Sequence, residues 1–138
     1  MRDLRNATVV IAGASSGIGR AAALAFARAG SNLAVIARRK DALEEVAAEC
    51  RALGVRAIAL PIDIGDAAAV REAAREAARI NGRIDVWVNN AGVGAVGWFA
   101  ETPIEAHDQV IRTNLLGYMH GAEGMTRHEG RHGRRLIS

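Results

Sequence analysis

Cysteine, lysine, tyrosine and long apolar runs are what this 138-residue chain has least of. Cys50 is the single cysteine, so no disulfide can form within the chain, and its place on the apolar stripe of a predicted helix marks it as a packed side chain rather than a redox group. No apolar run approaches the ~20 residues of a membrane-spanning helix. Met1-Arg2-Asp3-Leu4-Arg5 lacks the apolar core of a signal peptide, so the expected location is cytoplasmic. Aromatics are only 4% of the chain, and none falls in the basic end that carries Arg127, Arg131, Arg134 and Arg135. With a net charge of +3 and no recognition motif, that end reads as a solvated tail rather than a nucleic-acid interface. His120, His128 and His132 are near one another in sequence, but Gly130 separates the last two and no acid or cysteine completes a cage, so no metal site is expected.

Half of the residues are apolar, enough for one domain, 1–138, with a real core. Apolar runs near Thr8–Ala12, Asn32–Ala37, Ala57–Ile62 and Ile84–Asn89 read as strands buried on both faces. Between them lie stripes at helical period: Leu43, Val46, Ala47, Cys50 and Leu53, then Val70, Ala73, Ala74, Ala77 and Ile80. Asp41 with Glu44 reads as a helix start and Gly54 as its stop. Thr102-Pro103-Ile104-Glu105 reads as another start, for a helix that should turn Val110, Ile111 and Leu115 inward. Strand and helix alternate, which predicts an α/β fold: a doubly wound parallel sheet of Rossmann type. From Gly121 onward, glycines and polar groups predict an irregular basic tail, 121–138.

The most specific stretch is Gly13-Ala14-Ser15-Ser16-Gly17-Ile18-Gly19, between the first strand and the run from Arg20 to Ala29. Strand, glycine turn and helix form the arrangement that grips a dinucleotide pyrophosphate. Gly13 permits the sharp exit, Gly17 lets the phosphates approach the backbone, and Gly19 lets the helix pack close. The free N–H groups at the helix start face the anion, with Ser15 and Ser16 as added donors or as helix caps. A plain strand-to-helix turn would use glycine too. The second strand ends in Ala37-Arg38-Arg39-Lys40. An acid there would repel a 2′-phosphate, whereas an arginine fork matches its oxygens, so NADP(H) is expected over NAD(H).

The spacing G-x-x-x-G-x-G resembles the cofactor loop of the short-chain dehydrogenase/reductase family, with Ala12 where the family has threonine. Asn89-Asn90-Ala91-Gly92 is similar to the family's N-N-A-G after its fourth strand, Asp63-Ile64 to its third-strand end, and Thr113-Asn114-Leu115-Leu116-Gly117 to its helix asparagine. The resemblance covers about Thr8 to Gly121 and implies strand order 3-2-1-4, truncated at or before the fifth strand. It implies contact of Asp63 with the adenine, although a helix-preceding turn would also use an aspartate. It implies a cofactor wall at Ile64, Asn90, Ala91 and Gly92, a proton-relay role for Asn114, and pairing of two copies through helices near Glu101–Met119.

The same resemblance implies a tyrosine with a lysine four residues later, and a serine, to donate a proton and hold the substrate oxygen. The single tyrosine is Tyr118, followed by Ala122 at that spacing, and the single lysine is Lys40. Ser138 ends a nascent fifth strand, Leu136-Ile137-Ser138, and is at most a remnant of the family serine. The chain is therefore expected to bind NADP(H) without turning over substrate by itself, a small-molecule substrate requiring the missing C-terminal part. A non-catalytic nucleotide-sensing or partner-binding module, and a non-functional gene remnant, stand as alternatives. Trp98 and Phe99 read equally as a substrate wall and as core anchors.

Overall fold

A computed structural model describes residues 3–128 and 135–137. Its elements run β1 (Thr8–Ala12), α1 (Gly17–Arg28), β2 (Asn32–Ala37), α2 (Lys40–Ala52), β3 (Ala57–Pro61), α3 (Ala67–Ala78), β4 (Val86–Asn89), α4 (Ile104–Ile111), α5 (Gly117–Arg127) and β5 (Arg135–Ile137). A π-helical turn, Arg112–Leu116, joins α4 to α5 without a break. The strands are parallel, in the order β3-β2-β1-β4-β5.

Side chains alternate across β1, which places Val9 and Ile11 on one face of the sheet and Val10 and Ala12 on the other. The first face packs on Ala23 and Leu24 of α1 and on Leu43, Val46 and Cys50 of α2. The second packs on Val70, Ala73 and Ala74 of α3 and Met125 of α5, with Trp87 of β4 wholly buried among them. Both faces are covered, which is why the strands read as continuous apolar runs. The register sets Ile11 between Val35 on β2 and Val88 on β4. The C-terminal ends of β1, β2 and β4 therefore lie side by side, and the site is built there.

Three expectations need correction. First, α5 runs to Arg127, seven residues into the stretch read as irregular; the nascent fifth strand, by contrast, is borne out at Arg135–Ile137, paired with β4 (Trp87 opposite Leu136). The glycines that weaken an isolated helix are here the contact face: a Cβ at Gly117 would meet the Ile64 side chain, and one at Gly121 would collide with the Trp87 indole and the Asn89 amide. Close approach to the buried tryptophan outweighs low helix propensity. Ser138, Arg131, Arg134 and His132 lie outside the described residues.

Second, Ile111 and Leu115 are 54% and 53% exposed rather than turned inward, and Val110 is half-buried. No residue of α4 is fully buried, so its apolar stripe from Ile104 to Ile111 faces outward before the π-turn begins, and Leu115 within the π-turn shares that exposure. Third, the two expected capping boxes do not form. Asp41 sits inside the first turn of α2, whose Glu44 pairs with Arg51 instead, and the Thr102 hydroxyl donates to the Trp98 carbonyl (2.9 Å). The side-chain cap that does form is at α3, where Asp66 accepts from Ala68 and Ala69 N–H groups.

Candidate functional site

β1 leaves the sheet at Gly13, which takes φ +76°, a conformation that a side chain would strain. A Cβ there would also lie 2.7 Å from Cα of Ala91, so the turn can approach the end of β4 only as glycine. The Asn90 amide holds this approach by donating to the Gly13 carbonyl at 3.2 Å. Gly19 closes the turn from below, where a Cβ would strike the same carbonyl oxygen and the Asn90 side chain. Gly17 is different. It also has positive φ (+56°), yet nothing lies within 4 Å of where its Cβ would be. Close packing therefore explains Gly13 and Gly19, while Gly17 leaves open room above the first turn of α1, beside its free N–H groups.

That room adjoins a cleft of about 290 Å³ across the C-terminal ends of the strands. The turn contributes Gly13, Ser15 and Ser16, the end of β2 contributes Ile36 and Ala37 and the residues after it Arg38 and Arg39, the segment after β3 contributes Ile62, Asp63 and Ile64, and the segment after β4 contributes Asn90 to Val93, with Thr113 from the π-turn. Ligands of doubly wound sheets bind in this crevice, where the strand order reverses between β1 and β4. The Arg39 guanidinium leans to within 3.5 Å of the Ser15 hydroxyl, so a cation from the β2–α2 junction and a donor of the glycine turn face the same space.

Most residues singled out in the sequence converge there: Gly13, Ser15, Ser16, Arg38, Arg39, Asp63, Ile64, Asn90, Ala91 and Gly92 all line the cleft. Gly17, Ile18 and Gly19 belong to the turn but not to the lining, and Ile18 is 79% exposed. Ser16 precedes α1 without a side-chain cap bond, which leaves its hydroxyl for the cleft. Asp63 serves its own turn, one carboxylate oxygen accepting from Gly65 N–H at 2.8 Å, while it also lines the cleft. Trp98 and Phe99 are not core anchors: they are 81% and 78% exposed and lie outside the cleft, and the Phe99 ring rests on that of His107.

Asn114 lies in the middle of the π-turn and does not line the cleft. Its Oδ1 accepts from Val93 N–H (2.9 Å) and its Nδ2 donates to the Val93 carbonyl (2.8 Å). Both ends of its amide are thus engaged with one backbone unit of the cleft wall. Asn89 works similarly one layer down, accepting from the Trp87 indole at 3.0 Å and donating to the Tyr118 carbonyl at 3.2 Å. Sequence reasoning missed Val93 and Thr113, since neither carries a group that chemistry would single out. Among the described residues no group of three or more His, Cys, Asp or Glu could hold a metal ion, and no helix is long and apolar enough to cross a membrane.

The chain matches the sequence profile of short chain dehydrogenases over residues 7–137. It is 41% identical over 113 residues to the "Probable oxidoreductase EphD" of Mycobacterium tuberculosis, covering 82% of this chain and 19% of that protein. It is 38% identical over 120 residues to the bovine dehydrogenase/reductase SDR family member 7B, covering 83% and 37%. Among solved structures, a short chain dehydrogenase from Burkholderia cenocepacia in complex with NADP superimposes with TM-score 0.91 at 31% identity, over 99% of this chain and 56% of that one. One from Burkholderia phymatum in complex with NAD gives TM-score 0.89 at 31% identity, over 94% and 46%. The chain thus spans less than half the length of these two curated relatives.

Proposed function

The chain belongs to the short-chain dehydrogenase/reductase family, and from that premise we propose that it is the NADP(H)-binding portion of an oxidoreductase acting on carbonyl or alcohol substrates. The observation that carries the reading is the pairing, across one cleft, of the glycine turn at Gly13 with Arg38 and Arg39 at the end of β2. The residues fit such a cofactor. Gly17 leaves open room beside the N-terminus of α1, the hydroxyls of Ser15 and Ser16 face the cleft, and the one acid among the lining residues, Asp63, follows β3 rather than β2.

Each group then has a role. The α1 N–H groups and the serine hydroxyls hold the diphosphate. The guanidinium groups of Arg38 and Arg39 take the 2′-phosphate as charge-assisted donors. Asp63 keeps one oxygen for its turn and presents the other to the exocyclic amine of adenine. Asn90 fixes the Gly13 carbonyl so that the amide-lined corner keeps its shape. When bound, the nicotinamide supplies the hydride chemistry of the family. Proton donation to a substrate oxygen has no group here with the family's spacing, since Tyr118 is followed by Ala122 and its helix packs on β4. This portion by itself is therefore assigned binding without turnover, in the cytoplasm, with a small-molecule substrate entering only alongside a C-terminal part. Asn114 is assigned a positioning role through Val93 rather than proton relay.

A second reading, a partner-binding module that senses the nucleotide, is favoured by one observation. Ile104, Ile111, Leu115 and Met119 are exposed along α4, the π-turn and α5, beside Trp98 and Phe99. Large apolar side chains exposed at helical spacing along one segment suit an interface, and pairing with a second copy there is part of this proposal. The test is a heat-shift assay with NADPH and NADH, followed by NADPH with a panel of ketones and aldehydes. Stabilisation by NADPH without chain-dependent oxidation is the expected result. Sustained oxidation would refute the assignment of binding without turnover.

A further inference from the structure

We propose that Asn81 is a site of self-modification in this chain: the Gly82 backbone nitrogen attacks the Asn81 side-chain amide, and water converts the resulting imide to an acid.

The sequence has six asparagines, and Asn81 is the one followed by glycine. A backbone nitrogen one residue past an asparagine can close a five-membered ring on its Cγ, a proximity effect, and a glycine there sets no Cβ beside the approach. Both residues are exposed in the connection between α3 and β4. Gly82 has φ +78°, nothing lies within 4 Å of where its Cβ would be, and its N–H donates to no atom of the described residues. The nucleophile is therefore open to solvent and committed to no other bond.

Arg56 supplies the second feature. Its guanidinium forks, one nitrogen donating to the Ile80 carbonyl and the other to Asn81 Oδ1. The arginine backbone is itself fixed to the sheet: its N–H donates to Asn32 Oδ1 at 3.0 Å, and its carbonyl accepts from Leu33 N–H at 2.8 Å. A cation on Oδ1 draws electron density from Cγ. It also faces the oxygen on which negative charge develops as the nitrogen adds.

The Gly82 nitrogen gives its proton to solvent as the N–Cγ bond forms. The bond from Cγ to the side-chain nitrogen then breaks, and that nitrogen takes a proton from solvent and leaves as ammonia. Water opens the imide at either carbonyl, giving aspartate or isoaspartate. One water is consumed, one ammonia is released, and nothing is oxidised or reduced. The product cannot repeat the donation of Asn81 Nδ2 to the Asn6 carbonyl, so the segment ahead of β1 loses a tether while Arg56 gains a carboxylate partner. None of these residues lines the cleft.

The test is incubation of the folded 138-residue chain at mildly alkaline pH, in buffer and in urea, with peptide mass mapping over days. The amide-to-acid mass gain is expected in the peptide carrying Asn81, ahead of the other five asparagines and in buffer as well as in urea. Arg56→Gln should slow it by about three- to tenfold, the worth of one net hydrogen bond. Should that variant not fold, Arg56→Lys, which keeps the stem and charge but loses the fork, must show the slowing. Acid that forms at Asn81 in urea but not in buffer would show that the fold protects the residue, and would overturn the proposal. An unchanged or faster rate in the Arg56 variant that folds would overturn it too, since the arginine would then restrain the amide rather than activate it.

Discussion

Asn114 and Val93 are joined by a reciprocal pair of hydrogen bonds, the asparagine amide accepting from the valine N–H and donating to the valine carbonyl. The pair ties the π-turn to the wall of the cleft across 21 residues of sequence. It explains how a helical irregularity is coupled to a loop that otherwise leaves the body of the fold.

Replacing Asn114 with Ala should remove both bonds and free the wall from Ala91 to Val93. Because the residue is exposed, water takes over part of the bonding, and the stability cost should be about 1 kcal/mol. Nucleotide affinity should fall severalfold. Asn114→Asp keeps the acceptor and loses the donor, so it should fall between the two in a denaturant melt read alongside NADPH affinity. An unchanged affinity in Asn114→Ala would show that Val93 needs no such clamp.

The α5 glycines give a paired prediction. Gly121→Ala places a methyl against the Trp87 indole and the Asn89 amide and should destabilise by about 1–3 kcal/mol, despite better helix propensity. Gly124→Ala meets only the Ala74 methyl at 3.3 Å and the far edge of Trp87 at 3.4 Å, so it should be near neutral. Thermal melts distinguish them, since 1 kcal/mol moves the midpoint by about 2–8 °C in domains of this size range. Equal melting temperatures for the two variants would show that α5 does not pack as described.

Cys50 supplies a pH dependence. Burial on the α2 face, and next the charge of Glu49, push its thiol above the ordinary range. The folded value then exceeds the unfolded one, so the contribution to stability is full at neutral pH and is lost as pH rises from the unfolded value, about 8.5, towards the folded one. Urea melts at pH 7 and pH 9.5 should show a larger loss in the parent chain than in Cys50→Ala. Alkylation of Cys50 should be slow in buffer and fast in urea. Rapid alkylation of the native chain would contradict its burial.

How much of this was legible in the sequence depends on whether the cause was local. β1 and β2 have the bounds their apolar runs gave them, because each run is closed by a turn written in adjacent residues. The glycine turn and the arginines that follow β2 were legible for the same reason, and the structure sets them around one cleft. The α4–α5 region was not. Its π-turn leaves no mark in residue periodicity, and Gly117, Gly121 and Gly124 look like helix breakers until Ile64 and Trp87 are found against them. As a cap the Thr102 hydroxyl would accept from a helix N–H, and only the fold determines that it donates back to the Trp98 carbonyl instead. The roles of Asp63 and Asn114 needed the structure too, since both bond backbone within the frame of the site.

The central claim is that the corner between β1 and α1 holds a diphosphate while the end of β2 reads a 2′-phosphate. It is tested most directly by titrating NADPH and NADH into the folded chain and into its Arg38→Asp variant, with heat as the readout. The account predicts that the parent chain binds NADPH about tenfold or more tightly than NADH and that the variant reverses this order. A folded parent chain that takes up neither coenzyme at millimolar concentration would contradict the corner. Binding with the same preference in parent and variant would contradict the phosphate assignment.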